Sequence, residues 1–133
     1  MTEKNFNFIV VKKDGKIEMV NAKLDVDVEY SIVEYAEHLI KAGFSKVFNT
    51  ETLGRDFACV QDITYGTDDR WKFNKNVYDA GYNSTITKIV GKPVHGDCVI
   101  LRVNKKHEFD ETNDMFISAT DKDLKIICSK AGR

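Results

Sequence analysis

Four consecutive residues, His95-Gly96-Asp97-Cys98, place an imidazole, a carboxylate and a thiol side by side in the chain. Those groups are the parts of a nucleophilic centre, in which a base activates a thiol and an acid orients the base. The residues that follow argue against that use. Cys98–Val103 is a run of β-branched and apolar residues that predicts a buried strand. In a strand Val99, Leu101 and Val103 face one side, and Cys98, Ile100 and Arg102 the other. His95 and Asp97 have the opposite parity to Cys98, so these sequence neighbours need not touch. A free cysteine in such a strand behaves as a small hydrophobe. An enzyme using Cys98 or His95 is the weakest of the functional readings, and no catalytic set is expected.

Metal chemistry fares no better. His38, His95 and His107 and the scattered Cys59, Cys98 and Cys128 show neither paired zinc spacing nor an H-E-x-x-H helix. No metal site and no cofactor are expected. Recognition of a ligand has more support. Gly91–Gly96 holds the only proline and two of the eight glycines. Glycine lets backbone N–H groups approach an anion, but the stretch lacks the P-loop order and Pro93 removes a donor. A turn leading into a strand is the simpler account. Tyr65, Arg70, Trp71, Tyr78, Tyr82 and Asn83 crowd the middle of the chain, residue types suited to stacking on a base or to anchoring an interface. Trp71 shares a face with Phe73 and Val77 and belongs in the core; Tyr82 and Asn83, in a loop, are expected to be exposed. The candidate ligand-binding set is Tyr65, Arg70, Tyr82, Asn83, Lys92 and His95.

The elements that must position these groups follow from periodicity. Phe6–Val11 and Ile17–Val20 around Lys12-Lys13-Asp14-Gly15 predict an opening hairpin, with Gly15 supplying positive φ. Residues 31–42 predict a helix: Ser31 and Glu34 form a capping box, Tyr30 and Tyr35 a staple, and Ile32, Ala36, Leu39 and Ile40 an apolar stripe. Gly43 is the expected left-handed C′ residue, with Phe44 folding back on Leu39. Short strands are expected at Lys46–Phe48, Phe57–Thr64, Arg70–Tyr78 and Ile86–Val90, with loops at 79–85 and 105–114. A C-terminal helix starts at a Thr120/Asp123 capping box and shows Leu124, Ile127 and Cys128 to the core. The sum is one α+β domain over residues 1–133, a mostly antiparallel sheet packed against one main helix, with a short helix at the end.

Bulk composition bounds the rest. Hydrophobic residues make up 42% of 133, including eight Phe and five Tyr, enough for a packed core. Twenty basic residues against twenty-one acidic ones give a net charge of −1, which argues against nucleic acid bound by phosphate neutralisation. The acidic stretch Asp25, Asp27, Glu29, Glu34 and Glu37 and the basic Arg102, Lys105 and Lys106 read as solvated faces. Three unpaired cysteines fit a reducing cytosol. No apolar run reaches membrane-spanning length, so no membrane partner is expected.

The order of elements resembles a small family carried by phages and mobile elements, domain of unknown function 3846. The matching stretches are Ile9-Val10-Val11, the helix at 31–42, Asn83, Gly91 through Leu101, and Phe116-Ile117-Ser118-Ala119-Thr120-Asp121-Lys122-Asp123. The stretch between Thr50 and Gly81 is longer and more aromatic than that family's. The resemblance supplies no catalytic residues; it implies an accessory protein expressed in the cytosol of a bacterial host. The leading expectation is therefore a non-enzymatic binding protein that engages a host protein, a defence component among the options. The second is a protein that sequesters a small nucleotide signal through the central aromatics and the Gly91–Gly96 loop. A homo-oligomer stays open.

Overall fold

Alternating apolar residues draw the first two segments into a hairpin. β1 (Glu3–Val11) pairs antiparallel with β2 (Ile17–Asp25) along its whole length, from Glu3 opposite Asp25 to Val11 opposite Ile17. Gly15, at φ 96°, closes the turn as expected: its N–H donates to the Lys12 carbonyl, and the Lys12 N–H donates to the Lys16 carbonyl. The computed structural model describes residues 3–28, 30–43, 45–62, 81–104 and 115–133. The expected strand at Arg70–Tyr78 and the polar loop at 105–114 lie outside the described residues.

The remaining strands are β3 (Ser45–Phe48), β4 (Phe57–Asp62), β5 (Cys98–Val103) and β6 (Phe116–Ile117). They join the hairpin in one six-stranded antiparallel sheet of order β2-β1-β5-β4-β3, with β6 pairing β5. β5 sits at the centre because its run is apolar on both faces. Cys98 and Ile100 pack with Ile9, Val11, Phe48, Phe57 and Cys59 on one side. Val99 and Leu101 pack with Phe6, Phe8, Val10, Val47, Ala58 and Val60 on the other. The parity read from the sequence is the parity observed.

Each face carries helix. α1 (Ser31–Leu39) buries Ile32 and Ala36 against the Phe8 side, where Tyr35 stacks on Phe8 with ring centroids 5.4 Å apart. α2 (Ser84–Val90) and α3 (Asp121–Lys130) cover the Ile9 side through Ile86, Ile89, Val90 and Ile127. The fold is therefore α+β with its C-terminal helix in place, but with helices on both faces of the sheet. Among the described residues no helix is long and apolar enough to cross a membrane.

Local expectations divide. The Thr120/Asp123 capping box forms, with the Thr120 hydroxyl accepting from the Asp123 N–H at 3.2 Å and the Asp123 carboxylate from the Thr120 N–H at 2.9 Å. Asp123 also meets Arg102 at 3.4 Å, and Arg102 meets Asp56 at the same distance, so the cap is tied to β5. The Ser31/Glu34 box does not form. Tyr30, at φ 64° and 45% exposed, is the N-cap, and the Ser31 hydroxyl turns back to the Asp25 carbonyl. Ile86–Val90 is helix, not strand. Its β-branched residues suggest extended chain, yet Ile86, Ile89 and Val90 share a helical face, and Asn83 and Gly91 cap it.

At the end of α1 the left-handed residue is Lys41, at φ 55°, where the sequence suggested Gly43. The Lys41 N–H donates to the His38 carbonyl and the Ala42 N–H to the Glu37 carbonyl, the bond pair of a Schellman motif. A side chain in that conformation costs roughly 1 kcal/mol that glycine escapes. Lys41→Gly should therefore raise unfolding stability by about 0.5–1 kcal/mol in urea titrations. A lower stability would mean that the lysine stem holds contacts worth more than the strain.

Candidate functional site

Two short segments with no long-range signal in the sequence form a small ribbon beside β5. Tyr82 pairs antiparallel with His95. The Gly96 N–H donates to the Gly81 carbonyl at 2.8 Å, and the Asn83 N–H to the Val94 carbonyl at 2.9 Å. Strand parity then sorts the side chains. Asn83 and Val94 point inward and are 0% and 1% exposed. Tyr82 points outward at 52% exposed, its ring edge-on to His95 at 5.6 Å between centroids.

Asn83, expected on the surface, is buried and makes three side-chain hydrogen bonds. Its Oδ1 accepts from the Ile86 N–H at 3.0 Å, capping α2. Its Nδ2 donates to the Val11 carbonyl at 3.1 Å and to the Gly96 carbonyl at 2.8 Å. One amide thus joins the end of β1, the ribbon and the start of α2, and it is spent on the protein's own backbone. The sequence signal for this was the N-cap spacing before Ile86, Ile89 and Val90.

The Gly91–Gly96 loop is consumed in a similar way. Gly91 is the left-handed C-cap of α2, with its N–H on the Thr87 carbonyl. A Cβ there would stand 2.6 Å from the Thr52 hydroxyl, so only glycine lets the 50–54 turn dock. The Val94 N–H donates to the Thr87 hydroxyl at 3.2 Å. With the Gly96 N–H also engaged, three amides that a phosphate cradle would use are committed. Lys92 leaves the ribbon, its ammonium lying 3.9 Å over the Phe48 ring. Of the six sequence candidates the fold brings together Tyr82 and His95, with Asn83 beneath them. Tyr65 and Arg70 lie outside the described residues.

Lys13, which is outside the candidate set, meets Asp97 beside the pair. The Lys13 N–H donates to Asp97 Oδ1 at 2.9 Å, across 84 residues of chain. The Lys13 stem crosses Gly81, where a Cβ would lie 3.6 Å from Lys13 Cδ. Nothing local in the sequence announces a contact between the hairpin turn and this ribbon.

Cys98 is fully buried and turns its thiol toward the Gly96 carbonyl at 3.8 Å, away from the exposed pair. Cys59, on the neighbouring strand and the same face, is fully buried too. Burial pushes the Cys59 thiol well above its ordinary value, and the adjoining Cys98 thiol adds to the rise. Among the described residues no group of three His, Cys, Asp or Glu side chains could hold a metal ion.

A second concavity opens at the other end of β1. β1 pairs β5 only from Ile9 to Val11, and β6 takes up β5 at Arg102 and Val103. The sheet forks there, with Asn7 bridging the two arms: its N–H donates to the Ser118 hydroxyl, and its carbonyl accepts from the Ala119 N–H. A cleft of about 450 Å³ fills the fork, with Lys4, Phe6, Asp27, Ile32, Phe116 and Ile117 in its walls. Ile117 is 42% exposed, and Val28, on the connection that follows Asp27, is 52% exposed.

No family profile matches the chain, and no curated protein sequence matches it. A solved structure, that of the small RNA methyltransferase HEN1, is similar in fold with a TM-score of 0.56 at 13% identity. The likeness covers 96% of this chain and 16% of that chain, so it is a likeness to a small part of a far longer protein.

Two predictions follow from the geometry. Asn83→Ala leaves a helix N–H and two carbonyls without their partner and should cost about 2–4 kcal/mol in urea unfolding; a loss under 1 kcal/mol would deny the amide its bracing role. The buried Cys59 thiol keeps its proton where the unfolded chain's thiol, near 9.0, gives its own up. The native state then binds more protons, so this group's share of stability is full below pH 9.0 and falls as pH rises above it. Wild type should lose stability between pH 8 and pH 10 more steeply than Cys59→Ala; equal slopes would refute the assignment.

Proposed function

We propose that this chain is a non-enzymatic binding protein, an accessory of a phage or mobile element that engages a host protein. The observation that carries the reading is the apolar exposure at the forked end of the sheet. Val28 and Ile117 are each more than two-fifths exposed, and Phe6, Ile32 and Phe116 line the cleft with Ile117. Large side chains held out on ordered backbone beside a concavity are the usual anchors of protein recognition. The phage context comes from the family resemblance, and the host protein's identity as a defence component belongs to the same reading. The groups that suggested catalysis support it in a different way: the Cys98 thiol faces the core, while the half-buried His95 ring lies against Tyr82.

The test is capture from bacterial lysate by the tagged protein, with cross-links mapped by mass spectrometry. Wild type should retain a host protein near one-to-one stoichiometry, cross-linked close to Lys4. Ile117→Glu, a change at an exposed position, should abolish capture, while Tyr82→Ala should leave it intact. Capture that survives Ile117→Glu and Val28→Glu together would sink the proposal.

A further inference from the structure

The partner surface does not use the Tyr82–His95 ribbon, which lies at the opposite end of β1, about 26 Å of strand away. We infer that this ribbon, with Lys13, is a binding site for a nucleoside phosphate. Three features of one small surface lead there. Tyr82 is half-exposed on a backbone that cannot drift, since its neighbours Gly81 and Asn83 are both hydrogen-bonded across the ribbon. An aromatic ring held in this way offers a face to a base, and stacking of one base on such a ring is sequence-tolerant. His95, edge-on to Tyr82 at 5.6 Å between centroids, braces the ring.

Charge supplies the second feature. The platform ends at Gly81, which has no side chain, and the Lys13 stem runs across it. The ammonium lies 4.0 Å from where a Cβ would stand on Gly81, the residue before Tyr82. Arg133 lies against the same hairpin turn, its guanidinium 3.2 Å from where a Cβ would stand on Gly15. Two carboxylates face the turn, and each holds a backbone N–H: Asp97 that of Lys13, and Asp14 that of Lys16. They brace the backbone that carries the cations.

The third feature is Asp97 itself. One of its oxygens is occupied by the Lys13 N–H, which leaves the other to accept from the amino or imino edge of a base. A ring to stack on, a cation for phosphate and a carboxylate acceptor together describe a nucleotide better than a peptide or a simple anion. The same chemistry is offered by a free nucleotide and by the end of a nucleic-acid strand. The chain's net charge of −1 favours the free nucleotide.

Calorimetric titration separates these cases. The probes are the common nucleoside monophosphates and cyclic mono- and dinucleotides, with inorganic phosphate, the parent nucleosides and a ten-residue single-stranded oligonucleotide alongside. At least one nucleotide should bind more tightly than its nucleoside and than phosphate alone. Tyr82→Ala should weaken it about tenfold or more, and Lys13→Ala should weaken it while flattening its salt dependence. Both positions are exposed, so the variants should keep the wild-type melting temperature without ligand; Lys88→Ala, on the exposed side of α2, should bind as wild type does. Three outcomes would overturn the inference: no nucleotide binding at millimolar concentration, affinity unchanged in Tyr82→Ala, or binding by the oligonucleotide alone. The host-capture reading stands or falls separately, because Ile117→Glu should leave nucleotide affinity intact.

Discussion

The side-chain amide of Asn83 holds together the end of β1, the ribbon and the start of α2. A buried amide is stable only when its donors and acceptor are matched, and here all its partners are backbone groups at element ends. β1 stops at Val11, α2 starts at Ser84, and the chain re-enters the sheet after Gly96; each of these boundaries is read off the same side chain. The outward placing of Tyr82 depends on it. A ribbon of three residues a side has too little pairing to persist alone, and it persists because its inner face is pinned.

The two ends of β1 are therefore built differently. At the hairpin end the Asn83 amide and the Gly96 and Lys13 N–H groups are matched, and Tyr82 reaches solvent. At the forked end the sheet is opened by geometry: two strands compete for one side of β5, and a short β6 wins the last two positions. The opening leaves apolar walls where a continuous sheet would have had neighbours. The two surfaces are carried by opposite ends of one strand.

What could be read in the sequence was what is local and periodic. Cys98–Val103 shows its two-sided burial in composition alone, and Thr120/Asp123 shows its cap at a spacing of three. α1 was legible through Ile32 and Ala36, but its ends were not. Ser31 satisfies the capping pattern and yet bonds to Asp25, because the tight path from β2 needs that carbonyl closed. α2 was misread because β-branched residues dominate it, while its helical form is imposed by Asn83 and by the docking of Thr52 on Gly91. Of the candidate set, Tyr82 and His95 lie together and Lys92 lies over Phe48, while the placing of Lys13 beside Gly81 depends on contacts made across the whole chain.

β1 lies between β2 and β5, and this has a consequence for how the protein is made. Its partners on one side come at once, but those on the other are residues 98–100 and, through Asn7, residues 118–119. A ribosome releases the chain from the N-terminus, so the opening hairpin emerges with one edge bare and an apolar face on each side. It must wait for roughly a hundred further residues before that edge is covered. The hairpin thus spends several seconds, at ordinary elongation rates, as a sticky two-stranded fragment. Its yield in a cell should be governed by chaperone supply during translation more than by the stability of the finished sheet.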